Sequence, residues 1–498
     1  MRVALIWMIV AFFSVYAWRD WFKTLCFLVV LMAFVERPDM PKAVAGIPGL
    51  NPWNLLFAST FLAWFSARAR EWKAPKLPIS IRFYLVWYLA IIVASYLRGA
   101  GDSAILNEYS LLVGRRDFFT GQSLFIDDII NVLKYVAPGI MFYYGTNDKT
   151  RMQWALASVL IMNLLLALQV IRWMPVSTLV DGDLLQKRAV RVIDREIGYF
   201  RSDVAVLLSG AAWAFFALIQ LSKSSLNKTF LVLSSMACAL AIALTGSRIG
   251  MGSWMGVAFI LAWYRWRKFF FITPLVVMTI AVTIPSVTER FTEGFTQDTA
   301  DNRNAELDSG GPVKADDMDL YTVTSGRTEI WPFVIEKIAE QPIWGHGRHA
   351  MIRSGIAPFL WNSYHESFPH PHNAYLELTL DNGLLFSIPI FIFFLIIVIK
   401  SLTLFRDKTD SFNMAIGGGS LAFTVSQLFG AVAGQSFYPM ISQVSMWVMI
   451  FLMLRVSLER KNRNLSDANL NTEAPPSNSE RHIPVGRKRR YNIHNPPW

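Results

Sequence analysis

Along the whole chain, strongly apolar runs alternate with short charged clusters, and this alternation limits the fold more than any other feature of the sequence. The runs fall at 3–18, 22–35, 53–67, 79–97, 125–145, 151–173, 203–221, 229–246, 250–265, 269–285, 383–400, 414–435 and 438–455. Most approach the ~20 residues a helix needs to cross ~30 Å of hydrocarbon. A transmembrane β-barrel would instead show segments of about ten residues with alternating polarity. With 53% hydrophobic and 17% charged residues, the composition agrees with an all-α polytopic membrane protein of about 12–13 transmembrane helices.

The formal net charge of +11 does not point to nucleic acid. Its Lys and Arg residues concentrate in short loops and in the C-terminal tail, as topology signals do. Arg460, Lys461, Arg463 and the cluster Arg487, Lys488, Arg489, Arg490 put the C-terminus in the cytoplasm. Alternation then places five basic loops inside: Lys400 to Lys408, Arg265 to Lys268, Lys223 to Lys228, Lys149 to Arg151 and Arg68 to Lys76. The loops 36–52, 98–124, 174–202, 247–249 and 286–382 fall outside. The first two runs are short, so the count stays at twelve or thirteen spans. Met1 to Trp18 lacks a basic leading segment and a small-residue cleavage site, and the first run is expected to stay in the membrane.

Four regions follow: a transmembrane bundle over 1–285, a large outer loop over 286–382, three further helices over 383–455, and a basic, disordered tail over 456–498 that touches anionic lipid. Gly417, Gly418 and Gly419 within a span read as a close-packing surface. Cys26 and Cys238 sit inside apolar runs, where cysteine behaves as a small apolar residue.

A connection as long as 286–382 is usually functional or disordered. Its first part is rich in Asp, Glu, Gly and Asn. Its second carries Trp331, Trp344, Trp361 and Tyr375, and the spacing of Ile330, Phe333, Val334 and Ile338 predicts an amphipathic helix lying on the membrane face. Five of the seven histidines, 346, 349, 365, 370 and 372, fall there, with spacings that fit no zinc pattern. His372, in His370-Pro371-His372-Asn373 immediately before an apolar helix, is placed to serve as a general base for a lipid-linked substrate at the membrane boundary. His370 and Asn373 would support it.

Arginine outside the membrane runs against positive-inside statistics and asks for compensation. Arg248 occupies the tight turn Thr245-Gly246-Ser247-Arg248. A phosphate or diphosphate fits a guanidinium fork. Arg191, Arg195, Arg201 and Arg327 are candidates to converge on the same place. A non-catalytic lipid or glycan transporter is the alternative class. It would usually show midplane charges and two related halves, whereas the span interiors here are nearly free of ionisable residues apart from Asp127, Asp128 and Lys134.

Ser247-Arg248, Gly326-Arg327-Thr328-Glu329-Ile330-Trp331, Gln341-Pro342-Ile343-Trp344-Gly345-His346-Gly347 and His370 to Leu378 running to Asp381-Asn382-Gly383-Leu384 together resemble the O-antigen ligase and polymerase superfamily. The resemblance covers about 203–400. It departs before Asp203, where Gly198-Tyr199-Phe200-Arg201-Ser202 stands, and it assigns the third arginine to Arg195 or Arg191. It implies a metal-independent GT-C-type glycosyltransferase of the bacterial inner membrane that needs no cofactor. The implied donor is an undecaprenyl-diphosphate-linked glycan and the implied acceptor lipid A-core or a second glycan, met on the periplasmic face among membrane lipids. His372 would then be catalytic, with Arg248, Arg327, Arg195 and Arg191 binding the donor diphosphate. Ligase action leads, and an O-antigen or exopolysaccharide polymerase is the alternative.

Overall fold

The computed structural model describes residues 2–41, 43–44, 47–68, 76–115, 118–271, 327–365, 367–434 and 436–473, with isolated positions at 275, 278, 279 and 288. The chain is an all-α polytopic membrane protein. Among the described residues, six helices are long and apolar enough to cross a membrane, over 79–99, 149–173, 201–221, 225–245, 374–405 and 441–465, and shorter apolar helices cover 3–16 and 21–35. Every predicted run within the described residues lies on a helix; the run 269–285 falls almost wholly outside them.

We label the helices α1 (Arg2–Tyr16), α2 (Trp21–Val35), α3 (Pro52–Arg68), α4 (Ile79–Gly99), α5 (Ser103–Leu112), α6 (Gly121–Phe125), α7 (Asn131–Gly145), α8 (Lys149–Trp173), α9 (Gly182–Ile197), α10 (Arg201–Leu218), α11 (Ser225–Thr245), α12 (Arg248–Tyr264), α13 (Arg327–Glu340), α14 (Ala350–Arg353), α15 (Ile356–Tyr364), α16 (Ala374–Phe405), α17 (Ser411–Gly430) and α18 (Val444–Glu473). A π-helical turn, Ile126–Ile130, joins α6 to α7. Ala43–Val44 and Ile47–Pro48 form a minimal antiparallel pair. The chain divides into two compact units, Met1–Val456 and Ser457–Trp498.

Close packing in the first unit depends on small residues. Gly210 meets Phe423, Gly250 meets Ala205, and Gly417 and Gly418 meet Leu404 and Phe405, so a methyl at any of these positions would collide with its neighbour. The glycine string is thus a packing surface, as its sequence suggests. Cys26 and Cys238 are buried and free.

The structure departs from the sequence expectations in three places. Ile330, Val334 and Ile338 on α13 do not face a membrane. They are buried with Leu106, Tyr109, Leu124, Met351, Ile356 and Leu360 in a small core of their own, because α5, α14 and α15 supply apolar faces that the spacing of a single helix cannot reveal. The helix expected over 383–400 begins at Ala374, since the buried polar residues Thr379, Asp381 and Asn382 interrupt the apolar run without interrupting the helix. In the second unit α18 continues to Glu473, through the part of the tail at 456–473 that reads as disordered; residues 474–498 lie outside the described residues.

Candidate functional site

The segment ahead of α16 is fixed from both ends. Asn373 caps the helix, its Oδ1 accepting from the backbone N–H groups of Tyr375 (3.0 Å) and Leu376 (3.2 Å). On the other side, Trp331 of α13 donates its indole N–H to the Pro371 carbonyl at 3.1 Å. Between these anchors His372 is left-handed, with φ 50°, a conformation that costs energy for a residue with a side chain and persists only when its surroundings enforce it. The rings of His370 and His372 lie 4.1 Å apart, with the edge of Phe368 against His372.

Burial, with His370 and Arg327 adding positive potential, pushes the His372 imidazole down to about 3. His370 is lowered as well, chiefly by burial, with Glu377 opposing and Arg348, Arg327 and Arg115 assisting. Near neutral pH both rings are therefore uncharged, and His372 has a lone pair available for a proton.

Three arginines stand at the first positions of three helices: Arg201 on α10, Arg248 on α12 and Arg327 on α13. That is the end of a helix where a cation is disfavoured and an anion is welcomed. Helices α10 and α12 run side by side, with Ser209 Oγ donating to Gly250 O at 2.7 Å and the Trp213 indole donating to Trp254 O at 2.9 Å. This pairing brings Arg201 and Arg248 to the same end of the bundle. The end of α17 joins them there: Ser426 Oγ donates to Val206 O, Tyr375 Oη to Leu428 O at 3.0 Å, and the Ala374 N–H to Ala431 O at 2.8 Å. The starts of α10, α12 and α16 thus share one face. Arg327 belongs to the group electrostatically: burial, then Arg248, lowers its guanidinium, and it in turn depresses His372. Its Nε is buried and has no hydrogen-bond partner among the described residues.

Not every expected residue joins this group. Arg191 and Arg195 lie on the exposed face of α9, opposite the buried stripe Leu185, Ala189, Ile193 and Ile197. That stripe reaches the turn before Arg248, where Leu185 faces Gly246, but the two arginines are on the other side of the helix. Arg201, six residues beyond Arg195, begins α10 at the same end of the bundle as Arg248. Trp331 and Tyr375 are engaged in the contacts above, and Trp344 packs on Phe386 with ring centroids 4.8 Å apart.

A second cluster has no counterpart in the sequence reading. The half-buried Arg348 guanidinium meets Asp128 Oδ1 at 3.0 Å, Glu377 Oε1 at 2.9 Å and Asp381 Oδ2 at 3.2 Å. Its Cζ sits 3.8 Å from the centroid of the Tyr438 ring. Burial opposes its charge, but Asp128 and Glu377 outweigh that and hold its pKa well above the usual arginine value. Tyr438 Oη donates to Asp381 Oδ2 at 2.7 Å, Ser436 Oγ donates to Glu377 Oε2 at 3.0 Å, and His349 Nε2 lies 3.0 Å from Asp128 Oδ2. The signals available in the sequence were the acidic pair Asp127-Asp128 inside an apolar run and the i, i+4 spacing of Glu377 and Asp381. Nothing linked them to Arg348.

Residues 231–394 match the family model described as O-Antigen ligase, a stretch that includes Arg248, Arg327, Arg348, His372 and Glu377. No curated protein matches the chain.

Proposed function

Taking residues 231–394 as what makes this chain a member of the O-antigen ligase and polymerase superfamily, a family of membrane glycan transfer, we propose that it is a periplasm-facing glycosyltransferase of the bacterial inner membrane. In this reading it moves glycan from an undecaprenyl-diphosphate-linked donor to an acceptor hydroxyl, as an O-antigen ligase acting on lipid A-core. The observation that carries the proposal is a neutral, half-buried histidine in the field of Arg327, itself coupled to Arg248, with Arg201 opening its helix at the same end of the bundle as Arg248.

The acceptor oxygen attacks the anomeric carbon, a new glycosidic C–O bond forms, and the bond to the diphosphate oxygen breaks. His372 takes the hydroxyl proton, which a neutral imidazole can do and an imidazolium cannot. The negative charge left on undecaprenyl diphosphate is met by Arg248, Arg327 and Arg201, each contributing through donors already in place rather than through solvent that must reorganise. The helix starts add partial positive charge of their own. In this reading Arg201 takes the role first given to Arg195 or Arg191, and His370 and Asn373 hold the base in position.

The test is transfer by purified protein in detergent with EDTA, from lipid-linked glycan to lipid A-core, comparing wild type with His372→Asn and Arg248→Ala. Asn tolerates the left-handed backbone at 372, so loss of activity there reports the imidazole and not a refolded loop. Expected are transfer that persists in EDTA and a fall of about 10²–10⁴ on removing the base. Growth of longer lipid-linked chains from the donor alone would identify a polymerase instead. Neither product from well-folded wild type would return the transporter.

A further inference from the structure

Among the described residues, Gln427 on α17 is the one carboxamide whose donor and acceptor are both buried and both without a hydrogen-bond partner. The residue is 5% exposed. An amide buried and left unpaired costs free energy, and native proteins seldom carry one without a use for it. Its direction follows from its neighbours on the same helix. Ser420, seven residues earlier, accepts from Ser401 Oγ of α16 at 3.0 Å, and Phe423, four residues earlier, packs on Gly210 of α10. Positions i, i+4 and i, i+7 line one face of a helix, so Gln427 faces the seam between α10 and α16.

The level of the carboxamide along that seam is fixed as well. Ser426 donates to Val206 O near the start of α10, while Tyr375 Oη donates to Leu428 O and the Ala374 N–H to Ala431 O. Gln427 therefore stands level with the first turns of α10 and α16, which Arg201 opens on one side and His372 precedes on the other. Helix α17 ends at Gly430 and Val432 beyond it is 46% exposed, so the open end of the seam is about one helical turn away. In the proposed transfer the reacting sugar is bonded to the diphosphate that the arginines hold, and it is attacked by the oxygen that His372 deprotonates. It must lie between them, at the mouth of this seam. The carboxamide limits what it can receive there. Nε2 donates and Oε1 accepts, whereas a phosphate only accepts and would set its charge against Oε1. Two adjacent hydroxyls of a sugar ring satisfy both atoms at once.

We propose that Gln427 is a specificity-determining residue for the donor, its carboxamide receiving two adjacent hydroxyls of the sugar bonded to the diphosphate. Nε2 donates to one hydroxyl oxygen, and Oε1 accepts from the other. This role rests on the glycan-transfer reading above and adds to it which part of the donor is recognised. A sugar lacking either hydroxyl leaves one amide atom buried and unpaired, which is how a polar site rejects an analogue.

Gln427→Met keeps the shape of the side chain and removes both polar atoms. The measurement is the kinetics of transfer by the purified full-length protein, with thermal melting alongside. Gln427→Met should melt at or above the wild-type temperature, because an unpaired buried amide is gone, yet raise KM for the lipid-linked donor about 10- to 100-fold with kcat little changed. Higher stability with weaker binding is not what a packing role produces. Undecaprenyl diphosphate without sugar, used as an inhibitor, should bind wild type and variant alike. Of donors deoxygenated singly at the ring hydroxyls of that sugar, an adjacent two should show a raised KM in wild type and no further rise in Gln427→Met. Thr424→Val is the control: Thr424 Oγ1 is also buried and unpaired, one turn further from the helix starts, and its loss should leave KM where it was. If binding of undecaprenyl diphosphate weakens by the same factor as that of the donor, Gln427 holds the diphosphate and the sugar contact is wrong. If KM is unchanged in Gln427→Met while His372→Asn is inactive, the amide meets only water or packing and this role alone fails. If wild type transfers nothing, the functional reading fails and this role with it. Should Gln427→Met not fold, the deoxygenated donors on wild type decide the matter, an unchanged KM for all of them overturning the contact.

Discussion

His372 has to be neutral to accept a proton and yet basic enough to hold one. Burial, His370 and Arg327 satisfy only the first demand, with the ring pushed down to about 3. A bound diphosphate would cancel much of the positive potential from Arg327 and Arg248 and raise the imidazole. The acid limb of kcat, which reports the donor complex, is therefore expected at higher pH than the limb of kcat/KM, which reports the free enzyme. Coincident limbs would mean that the arginines and the base do not share a site. Arg248→Ala should lower kcat by about 10²–10³, the usual effect of removing one preorganised donor, and Arg248→Lys should recover only part of it, since a point charge lacks the planar fork. The sequence could single out His372 as a candidate because it stands immediately before an apolar helix, and Arg248 and Arg327 because arginine on the outer side runs against positive-inside statistics. Arg348 was not legible. Its partners stand at 128, 377 and 381, and only the folded chain brings them to one guanidinium.

The same limit applies to the helices. Apolar runs located the spans well, because burial in lipid requires an apolar surface all round a helix. They missed the start of α16, whose first turns face protein and carry Thr379, Asp381 and Asn382. There the helix breaks at Gly383, with φ 75° and ψ 167°, and the turn Gln341–Gly347 closes over the break. The N–H groups of His346 and Gly347 donate to Leu380 O and Asp381 O, both at 2.8 Å, and Leu384 N–H donates to Pro342 O at 2.6 Å. Backbone groups released by the kink are thereby paired. Gly345, at φ 64°, lies so close to Asp381, Asn382 and Gly383 that a Cβ would meet Asn382 N at 2.6 Å. Gly345→Ala should therefore cost about 1–3 kcal/mol from the positive φ alone, visible as a lower melting temperature, with a further loss from the clash. Asn373→Ala tests the other anchor. It should cost about 0.5–2 kcal/mol for the lost cap and lower kcat with little change in KM, while Asn373→Ser should restore both. A variant at 373 that melts lower but keeps full kcat would show that the cap stabilises α16 without orienting His372.

For the whole molecule, orientation in the membrane determines which substrates the site can meet. The basic loops at 223–228 and 400–408 are assigned to the cytoplasm and the starts of α10, α12 and α16 to the opposite side, an assignment that rests on charge asymmetry and on the direction of each helix. Those directions are consistent within the first compact unit. Helix α11 runs from Ser225 to Thr245 and α12 begins at Arg248, so the loop containing Ser224 and the turn carrying Arg248 lie at opposite ends of α11. Both native cysteines are buried, and a thiol reagent that cannot cross the membrane should leave the wild-type protein unmodified in intact cells. Arg191→Cys, on the exposed face of α9, should be modified by that reagent once the outer membrane is made permeable. Ser224→Cys, exposed at the other end of the bundle, should react only after the inner membrane is disrupted. Reaction at 224 before 191 would invert the protein, put His372 and its arginines on the cytoplasmic side, and remove the basis for a periplasmic acceptor. Reaction at 191 alone would leave the site facing the compartment in which a lipid-linked glycan and lipid A-core can meet.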